Sequence, residues 1–222
     1  MSNLAALAAR VKSELLRRIV SGELKPGSRV SVRTVSAELG VGVTPTRDAL
    51  LALRHEGLIE VVPHHGNVVR QLTPAEVKAR YALRLALERV AFRWAVGKIT
   101  PTIHQALHRL CDEMERFVRE NDQVGRLDAN MKFHRLIFAA AQNGEISRAA
   151  ESPVLHAAYP MGVGFSEEDL LAHIDEHRRM ADLLVAGNLA EAEAVLEEHL
   201  TRPVPEAEAM SLEVLMAAKK EL

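Results

Sequence analysis

The chain has 222 residues, of which 48% are hydrophobic and 26% charged, and its formal net charge is −2. These values are ordinary for a folded globular protein and exclude an intrinsically disordered chain. No apolar run approaches the ~18 residues of a membrane span, and Arg10, Lys12 and Glu14 stand where a secretory signal would stay apolar. A cytoplasmic protein is therefore expected. The one cysteine, Cys111, rules out an internal disulfide and is expected in the core.

Charge is unevenly distributed along the chain. Residues 1–73 carry ten Lys or Arg and six Asp or Glu, a net charge of +4. Residues 74–222 carry the other 18 basic and 24 acidic residues, a net charge of −6. A basic first part and an acidic second part indicate that only the first part meets a polyanion such as DNA.

The first 73 residues predict three helices followed by a hairpin. The helices are expected over 4–20, 31–39 and 45–56, and the strands over 58–62 and 67–72. Ser31 and Thr44 are expected to cap the second and third helices, with Pro45 at the first position of the third. This order is that of a winged helix-turn-helix domain, in which the last helix enters the major groove and the hairpin forms the wing.

The pattern is helical from Thr73 onward, and strand signals stop at residue 72. Helices are predicted over 74–97, 101–121, 123–142, 146–159, 166–187 and 188–201. The tail after Pro203 can form a further amphipathic helix that packs on this chain or on a sister subunit. The expected fold is therefore mainly α, with a winged helix-turn-helix domain over 1–73 and an all-α bundle over 74–222.

Polar side chains lie on the apolar stripes of three helices in the second part. Asn130 and His134 share one stripe, and His177 and His199 each occupy the stripe of a later helix. Burying several polar groups costs several kcal/mol unless they share a partner. Imidazoles and an amide oxygen suit zinc, nickel or a related divalent ion, so a metal site is expected. His173 lies one turn before His177 and is an alternative ligand.

A second histidine pair, His104 and His108, has the same spacing of four residues. No third ligand on that helix suggests itself, so a solvated or structural role is expected for this pair.

The stretch "SGELKPGSRVSVRTVSAELGVGVTPTRDALLALRHEGLIEVVPHHGNVV" resembles the DNA-binding domain of the GntR superfamily of bacterial transcription regulators. The resemblance covers roughly residues 10–70. It implies that DNA is contacted by Arg33, Thr44, Thr46 and Arg47, with His65 and Gly66 at the tip of the wing. Where the family has a hydroxyl and a cation just before the recognition helix, this chain has Gly42 and Val43. Either the operator is unusual, or affinity depends more on Arg33, Arg47, Arg54 and the wing.

The second part resembles the FCD-type ligand-binding domain of the FadR subgroup. The resemblance rests on "YALRLALERVAFRWA", "NMKFHRLIFAAAQN" and "DEHRRMADLLVAGNLAEAEAVLEEHL". It implies a metal site formed by Asn130, His134, His177 and His199. An Asn in place of the Asp found in many members leaves the site one negative charge short, so an anionic ligand would complete it.

Further ligand contacts are expected in the same domain. Arg84 is a candidate clamp for a ligand carboxylate, with Glu88 as its structural partner one turn on. His156 and Tyr159 either line the ligand cavity or pack in the core.

The two resemblances imply a transcription regulator that binds double-stranded operator DNA as a homodimer. By the same resemblance, a small carboxylate metabolite bound at a zinc or nickel ion in the helical domain would modulate its DNA affinity. A metal-dependent hydrolase is one alternative, against which no Glu or Asp is spaced as in H-E-x-x-H. A regulator with a purely structural metal is the other.

Overall fold

The computed structural model of the chain describes residues 3–20, 22–149, 165–205, 207–209 and 211. The chain divides between Thr73 and Pro74 into two compact units. Ser211, which we expected with the helical bundle, belongs to the first unit, where its hydroxyl donates to the backbone carbonyl of Leu72. His156 and Tyr159 lie outside the described residues.

The first unit has the predicted order of three helices and a hairpin. Its elements are α1 (Asn3–Val20), α2 (Val32–Leu39), α3 (Val43–His55), β1 (Ile59–Val62) and β2 (Gly66–Val69). The strands are antiparallel, and Ile59 pairs with Val69 at one end of the ladder. Apolar faces of α1, α3 and the hairpin form one core, which includes Val11, Leu15, Leu50, Leu53, Ile59 and Val69.

Caps explain where α2 begins and ends. The Ser31 hydroxyl accepts from the backbone amide of Thr34, as expected, and Gly40 closes the helix with a φ of 62°. A positive φ suits glycine because it has no Cβ to clash with the backbone.

The start of α3 differs from the prediction. The N-cap is Gly42 rather than Thr44, and it makes no side-chain cap bond. Pro45 is the third residue of the helix rather than the first. Its position is tolerated because the first amides of a helix have no intrahelical acceptor.

The second unit is all helical in its described part. Its elements are α4 (Pro74–Ala95), α5 (Pro101–Arg119), α6 (Gln123–Ala140), α7 (Gly144–Ala149), α8 (Glu167–Val185) and α9 (Leu189–Thr201). Thr100 caps α5 ahead of Pro101, and Ser166 and Asp169 form a reciprocal capping box on α8. The mainly α prediction, with a winged front unit, is confirmed.

The core of this unit is shared by α4, α5, α6, α8 and α9, each of which contributes buried apolar side chains. Cys111 is fully buried there, and burial raises the pKa of its thiol to about 12, so it serves as a packing residue. Gly125 on α6 lies directly against the Phe117 ring of α5, and a Cβ at this position would be only 2.5 Å from that ring. No helix in the described residues is long and apolar enough to cross a membrane.

Candidate metal centre and DNA-binding surface

Three histidines from three helices meet inside the helical unit. His134 lies on α6, His177 on α8 and His199 on α9, and their exposed fractions are 7%, 1% and 0%. The Nε2 atoms of His134 and His177 are 3.3 Å apart. One ring nitrogen of each histidine lies within 4.8 Å of those of the other two. Each helix thus turns its histidine inward, as its periodicity predicts.

The outer nitrogen of each ring faces an oxygen acceptor. Nδ1 of His177 donates to the backbone carbonyl one turn before it, at 2.8 Å, and Nδ1 of His199 lies 2.9 Å from a Glu176 oxygen. Nδ1 of His134 lies 2.7 Å from Oε2 of Glu88, off the axis of a well-aligned hydrogen bond. Since carbonyl and carboxylate oxygens only accept, the neutral rings of His177 and His199 carry their proton on Nδ1, and the contact with Glu88 favours the same tautomer for His134. The lone pair of Nε2 is left for the centre of the cluster.

Burial keeps these rings neutral. It lowers the pKa of His134 below its usual range and the pKa of His177 and His199 well below it. Neutral imidazole is the form that binds a metal ion. Nε2 of His199 has no hydrogen-bond partner among the described residues. A buried lone pair without a partner is what a cation would satisfy, so the three histidines fit a divalent metal ion.

Asn130, the fourth expected ligand, is buried on the same helix. It is 3% exposed and lies one turn before His134 on α6. Asp128 is exposed and pairs with Lys132 at 2.6 Å, so its carboxylate is directed away from the histidines. An amide and three neutral imidazoles carry no formal charge that could neutralise a dication.

Most of the residues expected to contact DNA are exposed on the winged unit. Arg33 on α2, Thr44 and Arg47 on α3, and His65 at the turn between the strands are exposed. Gly66 begins β2 with a φ of 78°. This set offers two guanidinium groups, a hydroxyl and an imidazole to a phosphate backbone or to base edges.

Thr46 is the exception, and the expectation of a direct DNA contact is not met. Its side chain is fully buried, and its hydroxyl accepts from the Ser36 hydroxyl at 2.9 Å. It also donates to the Gly42 carbonyl at 3.0 Å. Thr46 therefore joins α3 to α2 and holds the start of the recognition helix in place.

Comparison with known families identifies the chain. A model described as "Bacterial regulatory proteins, gntR family" matches residues 7–69, and one described as "FCD domain" matches residues 79–202. The chain belongs to the GntR family and carries an FCD domain. It is a DNA-binding transcription regulator and not an enzyme, which excludes the hydrolase alternative.

Relatives of this regulator agree with that assignment. The chain is 28% identical over 199 residues to a protein named "Probable D-xylose utilization operon transcriptional repressor" from Paenarthrobacter nicotinovorans, covering 90% of this chain and 88% of that one. It is 24% identical over 187 residues to the HTH-type transcriptional regulator McbR of Escherichia coli, covering 82% and 83%. The solved structure of E. coli McbR/YncC superposes with a TM-score of 0.72 at 22% identity, over 92% of this chain and 98% of that chain. At this identity the superposition bears on the fold alone.

A buried ion pair lies beside the three histidines of the regulator. Nε of Arg84 donates to Oε1 of Glu88 at 2.6 Å, and both side chains are at most 3% exposed. Burial raises the pKa of Glu88, but the interactions with His134 and Arg84 outweigh burial and lower this pKa to about 2. We attribute the ionised state of Glu88 to Arg84, because burial lowers the pKa of His134 and leaves its ring neutral. The positive charge of Arg84 also contributes to the lowered pKa of His134, His177 and His199.

His173, the alternative ligand, lies on the outer side of His199. The two rings stack with centroids 3.8 Å apart, and Nδ1 of His173 is 3.2 Å from Glu176. A second cluster of possible ligands thus comprises His173, Glu176 and His199. It would use Nδ1 of His199, which already faces Glu176, and would leave Nε2 without a partner. The set of His134, His177 and His199 gives Nε2 of His199 a partner, so we favour this set as the metal site.

The sequence did not reveal the acceptors behind the histidines. Glu176 sits next to His177 in "DEHRR", but only the packing of α8 on α9 brings it to His199. Arg126 was also missed, although it lies one turn before Asn130. It is 6% exposed, and burial lowers the pKa of its guanidinium to about 10.

Proposed function

We propose that a small carboxylate metabolite modulates the operator affinity of this regulator by binding at a metal ion in the FCD domain. The observation that carries the proposal is the convergence of three imidazole nitrogens from α6, α8 and α9 within 4.8 Å. His134, His177 and His199 would hold zinc or nickel, and Asn130 would contribute its amide oxygen. The bound ion would supply a positive charge for a carboxylate.

The electrostatics of the surroundings favour an anionic effector. The four expected ligands are neutral, so the charge of a dication would not be offset within the site. Arg84 adds a positive charge that reaches all three histidines. Because Glu88 offsets the charge of Arg84, we assign the attraction of a carboxylate mainly to the metal ion and its orientation to Arg84.

The winged unit would read the operator through α3 and the hairpin. Arg33 and Arg47 are assigned contacts with phosphates or guanine edges, and Thr44 a contact at the start of the recognition helix. His65 and Gly66 would contact the backbone from the tip of the wing. Thr46 supports this surface from within.

A homodimer would place two winged units on a two-fold operator. The surface that supports this assignment is a stripe on α4, where Leu83, Val90 and Trp94 are exposed on one helix face. Contiguous exposed apolar side chains mark protein interfaces. The variant Trp94→Glu is expected to shift the mass of the protein toward the monomer in light scattering, whereas a monomeric wild-type protein would refute the assignment.

The experiment that tests the proposal measures DNA affinity against ligand concentration. An operator fragment selected from random DNA by the protein itself is titrated by fluorescence anisotropy with metal-loaded protein and a panel of mono- and dicarboxylates. An effector is expected to change the Kd for DNA by about 5- to 150-fold. The effect should vanish in His199→Ala and persist in Lys132→Ala, an exposed change on the other side of α6. Carboxylate binding that leaves the Kd for DNA unchanged would refute the proposal.

A purely structural metal is the second candidate, favoured by the complete burial of His199 at the junction of helices. Such an ion would stabilise the fold far more than it alters DNA binding. Removing the metal with a chelator would then lower the melting temperature, and carboxylates would leave the DNA affinity of the metal-loaded protein unchanged.

A further inference from the structure

A third cluster of potential metal ligands, separate from the two that include His199, lies on the outside of the helical unit, between α5 and α8. His104 and His108 from α5 approach Asp182 from α8, with Nε2 of the two rings 2.6 Å and 2.8 Å from the same oxygen, Oδ1. One ligand atom from each of the three residues lies within 4.8 Å of the others. None of these residues belongs to the buried histidine cluster.

Helix geometry brings these donors together. Residues four apart lie one above the other on a helix, and the ring centroids of His104 and His108 are 4.6 Å apart. Packing of α5 against α8 then presents Asp182 to both rings. The third ligand that α5 itself does not supply comes from the neighbouring helix.

We propose that His104, His108 and Asp182 form a second, solvent-accessible binding site for a divalent transition-metal ion, zinc above all. Two imidazole nitrogens and one carboxylate oxygen are the protein ligands of many zinc sites, with a water molecule in the fourth position. Because Oδ1 of Asp182 accepts from both imidazoles, the three atoms that would bind the ion already lie close together. For an ion to bind, each ring must give up the proton on the Nε2 that faces the carboxylate. In a neutral ring this proton moves to Nδ1 by exchange with solvent, and in a charged ring it is released to solvent.

The required adjustment is small. Donor atoms of a tetrahedral zinc site with bonds of about 2.0–2.1 Å lie about 3.3 Å apart. The two observed distances to Oδ1 therefore need to open by well under 1 Å. The side chains of His104, His108 and Asp182 are 30%, 32% and 57% exposed, so rotation of the carboxylate can supply this movement without repacking the core.

The surrounding charge also favours a cation. Asp112 on α5 and Asp175 on α8 both pair with a single guanidinium, that of Arg178. Asp182 adds a further carboxylate beside His104 and His108. These three carboxylates carry more negative charge than the guanidinium of Arg178 can neutralise.

A bound ion would link α5 to α8, the helix that also carries His177. Because the site is open to solvent, its metal would exchange with the medium, in contrast to an ion enclosed by the buried histidines. Metal binding here would raise the melting temperature of the helical domain in a manner that depends on the free zinc concentration.

The test is equilibrium dialysis of metal-free full-length protein against zinc, with elemental analysis of the protein compartment. Wild type is compared with His108→Ala and with Asp182→Asn, which keeps the shape of the side chain. His55→Ala, which removes an exposed histidine on α3, is the matched control. We expect each of the two site variants to bind one ion fewer per chain than wild type, and His55→Ala to bind the same number as wild type.

The counts separate this site from the buried cluster. Two ions per chain in wild type and one in His108→Ala support both sites. One ion per chain in wild type and none in His108→Ala support the outer site alone. Equal counts in wild type and in both site variants would overturn the proposal and leave the cluster as a hydrogen-bonded His–Asp–His group. Circular dichroism spectra verify that each variant is folded, and Asp182→Asn provides the decision if His108→Ala does not fold.

Discussion

The ion pair between Arg84 and Glu88 is buried in the helical domain, where a charge without a counter-charge is costly. Glu88→Gln keeps the size of the side chain and removes its negative charge. Opposite charges about 4 Å apart attract by about 4 kcal/mol at an effective dielectric constant of about 20. Breaking a buried pair typically costs about 3–5 kcal/mol, so we expect the free energy of unfolding to fall by about 3–4 kcal/mol.

Thermal and urea unfolding followed by circular dichroism would measure this loss. With about 2–4 °C of melting temperature per kcal/mol for a chain of this size, Tm should fall by about 10 °C. The matched control is Glu120→Gln, which breaks the pair of Arg116 and Glu120. That pair has the same residue types and spacing, but its side chains are 55% and 51% exposed. It should cost less than about 1 kcal/mol, and equal losses in the two variants would refute the reasoning from burial.

Three further changes test separate parts of the structure. Thr46→Val removes the hydroxyl bonds that join α3 to α2 and should lower the free energy of unfolding by about 1–2 kcal/mol in urea. Thr44→Val should instead weaken DNA binding with little loss of stability. The reverse pattern would contradict the assignment of Thr46 to the interior and Thr44 to the DNA-binding surface. Gly125→Ala should destabilise the helical domain by about 1–3 kcal/mol in the same assay, because a Cβ would meet an aromatic ring at 2.5 Å, whereas Gly144→Ala has open space and should not. Arg47→Ala should weaken binding to all DNA sequences and reduce the slope of log K against log salt by about one, if its contact is with a phosphate; an unchanged slope with relaxed sequence preference would assign it to a base.

Local signals predicted most of the fold. The cap at Ser31 placed the start of α2 within a residue of that observed, because capping depends on neighbours in sequence. The start of α3 was placed two residues late. Its first turn is fixed by the buried bond between Thr46 and Ser36, ten residues away, rather than by a local cap.

The candidate site was predictable only in part, for a physical reason. Periodicity shows which face of a helix a residue occupies, so it located His134, His177 and His199 in the interior. It does not show which helices pack together. The contacts of His199 with Glu176, and of His104 with Asp182, depend on tertiary packing and could not be found from one helix at a time.

The resemblance to known regulators carried one error, at Thr46. A family motif transfers residues by their position in the sequence, whereas DNA contact requires exposure. The side chain of Thr46 points into the unit, while those of its neighbours Thr44 and Arg47 are exposed. The motif assigns all three residues to DNA contact, but only Thr44 and Arg47 are exposed enough to make one.

The metal content of the purified protein is the most direct test of the central assignment, that the buried histidines hold an ion. Wild type, His134→Ala and the control Lys132→Ala are loaded with zinc, dialysed and analysed for metal, with circular dichroism spectra as a check on folding. His199→Asn serves if His134→Ala does not fold. We expect the histidine variant to hold one ion fewer per chain than wild type and Lys132→Ala. The same metal content in all three folded proteins would contradict the account.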